Sequence, residues 1–155
     1  MRGVAEGIVY ATKPLSYQGQ LIENFSVRFE NGRAVEVRAE KNEELLKKMI
    51  SMDEGAAYLG ECALVPVNSP ISESGLLFYE TLFDENAACH LALGAGFADT
   101  IRGFENKTLD ECRALGINDS MIHVDFMVGF DGLDIDARTA DGRLVPIFRQ
   151  GKWAF

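Results

Sequence analysis

The sequence predicts an α+β fold: a mixed sheet with antiparallel hairpins at both ends of the chain and helices packed in the middle. Two turn sequences carry this prediction, Asn31-Gly32 near the start and Asp141-Gly142 near the end. Both dipeptides are typical of tight β-hairpins, and strand-like residues flank each of them. The segments between them contain apolar residues at helical spacing. The 155 residues are enough for one domain with a real core, so we expect a single domain over 1–155.

The first third of the chain is predicted to be a small antiparallel sheet followed by a helix. Strands are predicted over 7–11, 21–29 and 33–39, where apolar residues alternate or cluster between turn residues. A helix is predicted over 41–52, with Asn42 as its N-cap. The apolar residues that recur at helical spacing are Leu45, Leu46, Met49 and Ile50.

The middle of the chain is predicted to alternate short helices with strands. We expect a short helix over 53–59, a strand over 61–67 and an irregular loop over 68–75. Residues 76–83 are apolar and aromatic but ambiguous in type. A helix is predicted over 84–93, because its first residues are acidic and carboxylates are favoured at helix N-termini.

The last third is predicted to hold one more helix, a buried strand and the second hairpin. The helix covers 109–115 and ends at Gly116, a residue common after helices. A nearly continuous apolar strand follows over 122–128, and the hairpin strands are predicted over 133–139 and 144–148.

Composition narrows the classes of partner and compartment. The net charge of -9 argues against nucleic acid and anionic membranes, whose protein partners need basic patches. The three cysteines contain no CxxC pair, which fits a reducing cytoplasm better than a disulfide scaffold.

The chain has two histidines, and both lie in apolar segments beside acidic residues. His90 follows Glu85, and His123 precedes Asp125 by two residues, while Glu61 opens an apolar strand upstream. An unpaired carboxylate in such surroundings is costly. We therefore expect these segments to come together as a metal site.

His123 and Asp125 would project from the same face of a strand, about 7 Å apart along it. Imidazole and carboxylate donors together suit zinc, cobalt or manganese. The alternative is a hydrogen-bonded His–Asp pair inside a core that binds no metal.

Helical geometry predicts where the side chains of Glu85, His90 and Phe97 lie relative to the site. In the predicted helix Glu85 and His90 are about 140° apart, so Glu85 must turn towards the site from the helix entry. Phe97 lies seven residues after His90, two turns on, and is expected to face the same side. The alternatives are a Glu85 that caps its own helix, a core His90 and a surface Glu61. Cys89 is a possible soft ligand but is expected to pack in the core.

Six segments closely resemble the thermophilic aminopeptidase family of dinuclear metallopeptidases, and together they span most of the chain. They are LGECALVP at 59–66, SGLLFY at 74–79, TLFDENAACHLALG at 81–94, HVDFM at 123–127, LDID at 133–136 and GKWAF at 151–155. The resemblance implies a cytoplasmic, homodimeric exopeptidase that removes N-terminal residues from peptides. It also implies two divalent metal ions, usually zinc or cobalt, with magnesium and manganese as further candidates.

The resemblance also implies roles for particular residues. Glu61 matches the metal-bridging glutamate, which also has a catalytic role, and Phe97 matches a catalytic tyrosine of the family. The remaining metal positions match Glu85, His90, His123 and Asp125.

Three departures from the family pattern limit what the resemblance implies. Family members carry an N-terminal domain and a further glutamate ligand upstream of the matched region, and a tyrosine where this chain has Phe97. We therefore expect residues 1–155 to be the C-terminal catalytic-domain portion of a metallo-aminopeptidase. The alternative is a non-catalytic metal-binding or dimerisation domain, inactive because that glutamate and the tyrosine hydroxyl are missing.

Overall fold

The computed structural model describes residues 4–155, and the α+β class is confirmed. The strands form three small sheets, all of whose pairings within the described residues are antiparallel. The strands are β1 (Gly7–Tyr10), β2 (Leu15–Tyr17), β3 (Gln20–Glu30), β4 (Arg33–Lys41), β5 (Leu59–Ala63), β6 (His90–Gly94), β7 (His123–Met127), β8 (Ile135–Arg138), β9 (Leu144–Arg149) and β10 (Lys152–Trp153). The helices are α1 (Glu43–Ile50), α2 (Pro70–Ser74), α3 (Thr81–Asp84) and α4 (Leu109–Ala114).

The N-terminal sheet is built around β3, which pairs with β1, β2 and β4. The turn between β3 and β4 is the predicted hairpin, with φ values of 50° at Asn31 and 79° at Gly32. Two successive left-handed residues form the turn whose twist matches that of the flanking strands, which explains the Asn-Gly sequence.

The helix predicted over 41–52 is confirmed in type but is shorter, and Asn42 occupies the predicted N-cap position without a side-chain capping hydrogen bond. Asn42 adopts a left-handed φ of 61°, and its side chain makes no capping hydrogen bond to α1. Its Nδ2 instead donates to the carbonyl of Leu21 in β3, at 2.7 Å. Asparagine tolerates this conformation better than most residues, so Asn42 serves the turn between β4 and α1.

The helix predicted over 84–93 is wrong. The chain there forms α3, a 3₁₀ turn at Glu85–Ala87 and then the strand β6. Because β6 is the central strand of its sheet and most of it is buried, its apolar run lacks the alternation that marks a half-exposed strand. The acidic start of the segment belongs to the turn and not to a long helix.

Three other boundaries also differ from the predictions for the middle of the chain. Residues 53–59 contain only a 3₁₀ turn at Gly55–Ala57, and β5 starts at Leu59. Strand β5 ends at Ala63, before the end of the strand predicted over 61–67. The predicted loop over 68–75 contains α2, whose N-cap Ser69 accepts a hydrogen bond from the amide of Ser72.

One hydrophobic core joins the N-terminal sheet, α1 and one face of the β5–β6–β7 sheet, which we call the site sheet. The rings of Phe25 in β3 and Phe126 in β7 lie 5.6 Å apart between centroids. Since alternate strand residues face opposite sides, the other face of the site sheet is left for polar side chains. None of the helices within residues 4–155 is long and apolar enough to cross a membrane.

We expect Phe126→Ala to lower the free energy of unfolding by about 3–5 kcal/mol, because it empties the contact between the two sheets. Phe126 is 1% exposed. The matched control is Phe155→Ala, at a ring that is 89% exposed, which should change stability by less than about 0.5 kcal/mol. Urea unfolding measures both, and equal effects would contradict this account of the core.

Candidate metal centre

The register of the site sheet brings the candidate residues to one face. Glu61 of β5 and Asp125 of β7 both pair with Ala92 of β6, so the three form a row across the strands. His123 pairs with Gly94, and His90 lies two residues from Ala92 on the same face. The small Ala92 side chain leaves space above the strand centre, where the longer polar side chains meet.

His123 lies between a backbone carbonyl and two carboxylates. Its Nδ1 is 2.7 Å from the carbonyl oxygen of Ala95, and because a carbonyl only accepts, Nδ1 must carry the hydrogen. Its Nε2 is 3.3 Å from Oδ1 of Asp125 and 3.7 Å from Oε2 of Glu61.

His90 is held in the same way by a different carbonyl. Its Nδ1 donates to the carbonyl oxygen of Ala88 at 3.1 Å, and its Nε2 is 3.3 Å from Oε1 of Glu61. A hydrogen bond at one ring nitrogen is the usual way that a metal-ligating histidine is oriented, with the other nitrogen turned to the metal. Both histidines therefore present Nε2 towards the same carboxylate.

Two groups of three donors share one residue. Glu61, His123 and Asp125 form one group and Glu85, His90 and Asp125 the other, with the donor atoms of each group within 4.8 Å of one another. Donors bound to one zinc ion at about 2.0–2.1 Å lie roughly 3.4 Å apart, so small side-chain movements would bring each group around an ion. In addition, Oδ1 of Asp125 is buried, and its contact with Nε2 of His123 at 3.3 Å is too poorly directed to satisfy it fully. The donor set and this incompletely satisfied oxygen both fit divalent metal ions.

The carboxylates change the protonation of their neighbours. Hydrogen bonding to Asp125 is the main cause that raises the pKa of His123 to about 9, helped by the Ala95 carbonyl. Burial, followed by the negative charge of Asp125, raises the pKa of Glu85. The His123 shift, and the part of the Glu85 shift that Asp125 causes, are the response expected of crowded negative charge, which favours a cation in this space.

Two predicted positions are reached differently from the sequence-based expectation, and Cys89 packs as expected. Glu85 comes from the 3₁₀ turn before β6 and not from a helix entry. Phe97 follows no helix, and its ring contacts His123 at 4.7 Å between centroids rather than sharing a helix face with His90. Cys89 points away from both donor groups: its Sγ bonds the backbone of Val65, as packing would predict.

Several groups that support the centre were not proposed as ligands from the sequence. Asp84 is buried and accepts hydrogen bonds from the amides of Phe78 and Glu80, so it braces the loop before Glu85. Two backbone carbonyls orient the histidines, and backbone groups leave no mark in a sequence pattern. Asn118, whose buried side chain donates hydrogen bonds to the carbonyls of Gly55 and Gly94, lies in a polar turn whose sequence resembles any surface loop.

The chain belongs to the thermophilic metalloprotease (M29) family, whose model matches residues 2–153. It is 55% identical over 150 residues to aminopeptidase AmpS of Bacillus subtilis, covering 97% of this chain and 37% of that protein. It is 51% identical over 148 residues to aminopeptidase T of Thermus aquaticus, covering 96% of this chain and 36% of that protein. These relatives are named aminopeptidases, and the chain spans a little over a third of their length.

A solved structure agrees with the family assignment. Wild-type AmpT from Thermus thermophilus superposes with a TM-score of 0.90 at 46% sequence identity. The match covers 99% of this chain and 38% of that chain. The resemblance to thermophilic aminopeptidases, read from the sequence motifs, is confirmed.

We expect Asp125→Asn to lower the pKa of His123 well below 9 in the metal-free chain. The carboxylate is the first cause of the raised pKa, and an amide cannot stabilise the imidazolium equally. NMR titration of the ring protons measures the pKa. Asp136→Asn is the control, since Asp136 pairs with Arg149 in the C-terminal hairpin, and it should leave the titration unchanged. An unaltered pKa in Asp125→Asn would refute the assigned cause.

Proposed function

We propose that this chain carries most of the metal centre of a two-metal aminopeptidase, which hydrolyses N-terminal residues from peptides. The observation that carries the proposal is the Glu61 carboxylate, which turns one oxygen to each histidine. A carboxylate so placed suits a bridge between two ions a few ångströms apart. Its position across from Asp125, which belongs to both donor groups, supports the same arrangement.

The proposed ligands are Glu61, Glu85, His90, His123 and Asp125. Two imidazoles with three carboxylates suit zinc, cobalt or manganese, and magnesium is a weaker candidate because it prefers oxygen donors alone. Because His123 holds a proton up to a pH of about 9, a metal must displace that proton, and metal affinity should fall as the pH drops.

In catalysis the residues of this chain would hold the metal ions and move protons. Bound divalent ions lower the pKa of a water molecule and polarise the scissile carbonyl. Glu61 or Glu85 would take the proton of that water and pass it to the leaving nitrogen. The raised pKa of Glu85 brings this carboxyl closer to the working pH of a general acid and base, while the histidines hold Nε2 towards the reaction centre.

The wider features of the whole protein belong to the same proposal. Residues 1–155 would be the C-terminal catalytic-domain portion, acting on peptide substrates in a cytoplasmic homodimer. The support is the family membership, the share of the relatives' length, and three cysteines that form no disulfide among the described residues. A second candidate, a non-catalytic metal-binding or dimerisation domain, is favoured by Phe97, which has no hydroxyl where the resemblance implies a catalytic tyrosine.

We expect the chain to bind cobalt or zinc and to hydrolyse leucyl-p-nitroanilide slowly, with all turnover lost on chelation. Glu61→Gln should weaken metal binding and turnover together, because it removes the charge that faces both histidines. Glu105→Gln is the control, at an exposed carboxylate in another turn. Elemental analysis measures the bound metal, and the kinetic assay measures turnover.

The possible outcomes separate the two candidate functions. Bound metal without any turnover would favour the non-catalytic domain. Chelator-resistant turnover, or unchanged metal content in Glu61→Gln, would contradict the proposed centre.

We expect Phe97→Tyr to raise kcat by about tenfold or more without changing metal affinity. The ring already lies against His123, and a hydroxyl there could donate a hydrogen bond to developing negative charge, a contribution typically worth a hundredfold or more. Phe104→Tyr, on an exposed ring, is the control. An unchanged kcat in an active chain would show that position 97 takes no part in catalysis.

A further inference from the structure

The orientation of His123 depends on one carbonyl, that of Ala95, in the short loop that follows β6. The amide of Ala95 donates to the carbonyl of Ile122 at 2.7 Å, directly before His123. The loop therefore pairs with the start of β7 on one side and accepts from the imidazole on the other. A shift of this loop would move the acceptor of the His123 ring.

Asn118 holds that loop through hydrogen bonds from both its side chain and its backbone. Its side chain is buried, and its Nδ2 donates to the carbonyl of Gly94 at 2.6 Å and to the carbonyl of Gly55 at 2.9 Å. The backbone carbonyl of Asn118 accepts a hydrogen bond from the amide of Gly96 at 2.9 Å. Asn118 thus binds the residues on both sides of Ala95 and ties them to the 3₁₀ turn before β5.

Close packing leaves the loop little freedom. A Cβ on Gly60 would lie 2.1 Å from the carbonyl oxygen of Ala95, and one on Gly94 would lie 2.1 Å from the carbonyl oxygen of Ile122. Both contacts are far inside the approach that real Cβ atoms make. Gly94 also has a φ of 103°, which other residues rarely adopt.

The segment that carries Asn118 is itself anchored. Asp53 accepts hydrogen bonds from the Ser120 hydroxyl and from the amide of Met121, at 2.6 Å for the latter. The same carboxylate accepts from the amide of Ala56, in the turn that Asn118 also bonds. The support therefore runs from the 3₁₀ turn through Asn118 to the Ala95 carbonyl.

We propose that Asn118 is a positioning residue for the metal centre: it fixes the Ala95 carbonyl, and that carbonyl orients the His123 ring with Nε2 towards Glu61 and Asp125. The consequence for metal binding rests on the proposed function, whereas the orientation of the ring does not. His90 provides an internal comparison, because its Nδ1 bonds Ala88, which lies on the other side of β6 from this loop in sequence.

The test uses ring-nitrogen NMR of the metal-free chain, which has only these two histidines. We expect Asn118→Ala to weaken the hydrogen bond from Nδ1–H of His123, seen as an upfield proton shift and faster exchange with water. The His90 signal should stay in place. Gly60→Ala should move the His123 signal in the same direction, because it displaces the Ala95 oxygen.

Two further variants separate positioning from general loss of structure. Asn118→Ser keeps a hydroxyl donor and should give a smaller change of the same sign in the His123 signal. If Asn118→Ala does not fold, the milder Asn118→Ser still tests the proposal. Asn106→Ala removes an exposed asparagine side chain and should change neither signal. An unchanged His123 signal in a folded Asn118 variant, or equal changes at both histidines, would overturn the proposal.

Calorimetric titration with zinc at one pH tests the consequence for the metal centre. Metal affinity should fall about tenfold or more in Asn118→Ala, the usual effect of losing an outer partner of a ligand. Unchanged affinity with a shifted His123 signal would overturn the link to the metal. If the unsubstituted chain binds no zinc, the proposed function fails, and the NMR result still decides the positioning role.

Discussion

The pairing register of β6 with its two neighbours is the constraint on which the rest of the structure depends. It aligns Glu61, Ala92 and Asp125 in one row and puts both histidines on the same face. Because side chains alternate along a strand, a slip of one residue would send the polar set into the hydrophobic core. The opposite face, with Leu93, Val124 and Phe126, therefore fixes the register by burial and thereby assembles the centre.

The centre concentrates negative charge where solvent is scarce. Asp125 and His90 are buried, and Glu61, Glu85 and His123 are partly so. Without an ion, hydrogen bonding to Asp125 raises the pKa of His123 to about 9, so the imidazolium supplies the positive charge. This arrangement is less stable than an apolar face would be, and such a cost is common where a site is built for a ligand.

The two histidines are oriented by carbonyls of different origin. His90 uses Ala88, two residues earlier in its own segment, so its orientation is local. His123 uses Ala95, 28 residues away, so its orientation depends on how β6, β7 and the polar turn at Asn118 pack together. The long-range partner makes the His123 half of the centre more sensitive to changes far from the donors themselves.

Local chemistry let the sequence by itself determine a part of this structure. The Asn-Gly and Asp-Gly sequences specify hairpins through local backbone preferences, and both hairpins are present. Both residues are left-handed at Asn31-Gly32, whereas only Gly142 is left-handed in the second turn. His123 and Asp125 share a face because alternation along a strand needs no tertiary information. The placement of both histidines among apolar residues and carboxylates identified the candidate donors, and six segments identified the family.

The remaining features of the site depend on residues that are distant in the chain, so only the tertiary structure decided them. The apolar run of β6 is compatible with helix or strand until two neighbours pair with it, so the predicted helix over 84–93 was wrong, and the helical spacing that related Phe97 to His90 does not apply. The carbonyls of Ala88 and Ala95 are backbone groups that every residue has, and only folding selects two of them. Asn118 reads as a loop residue in the sequence, and it gains its place by reaching Gly55 and Gly94, 63 and 24 positions away.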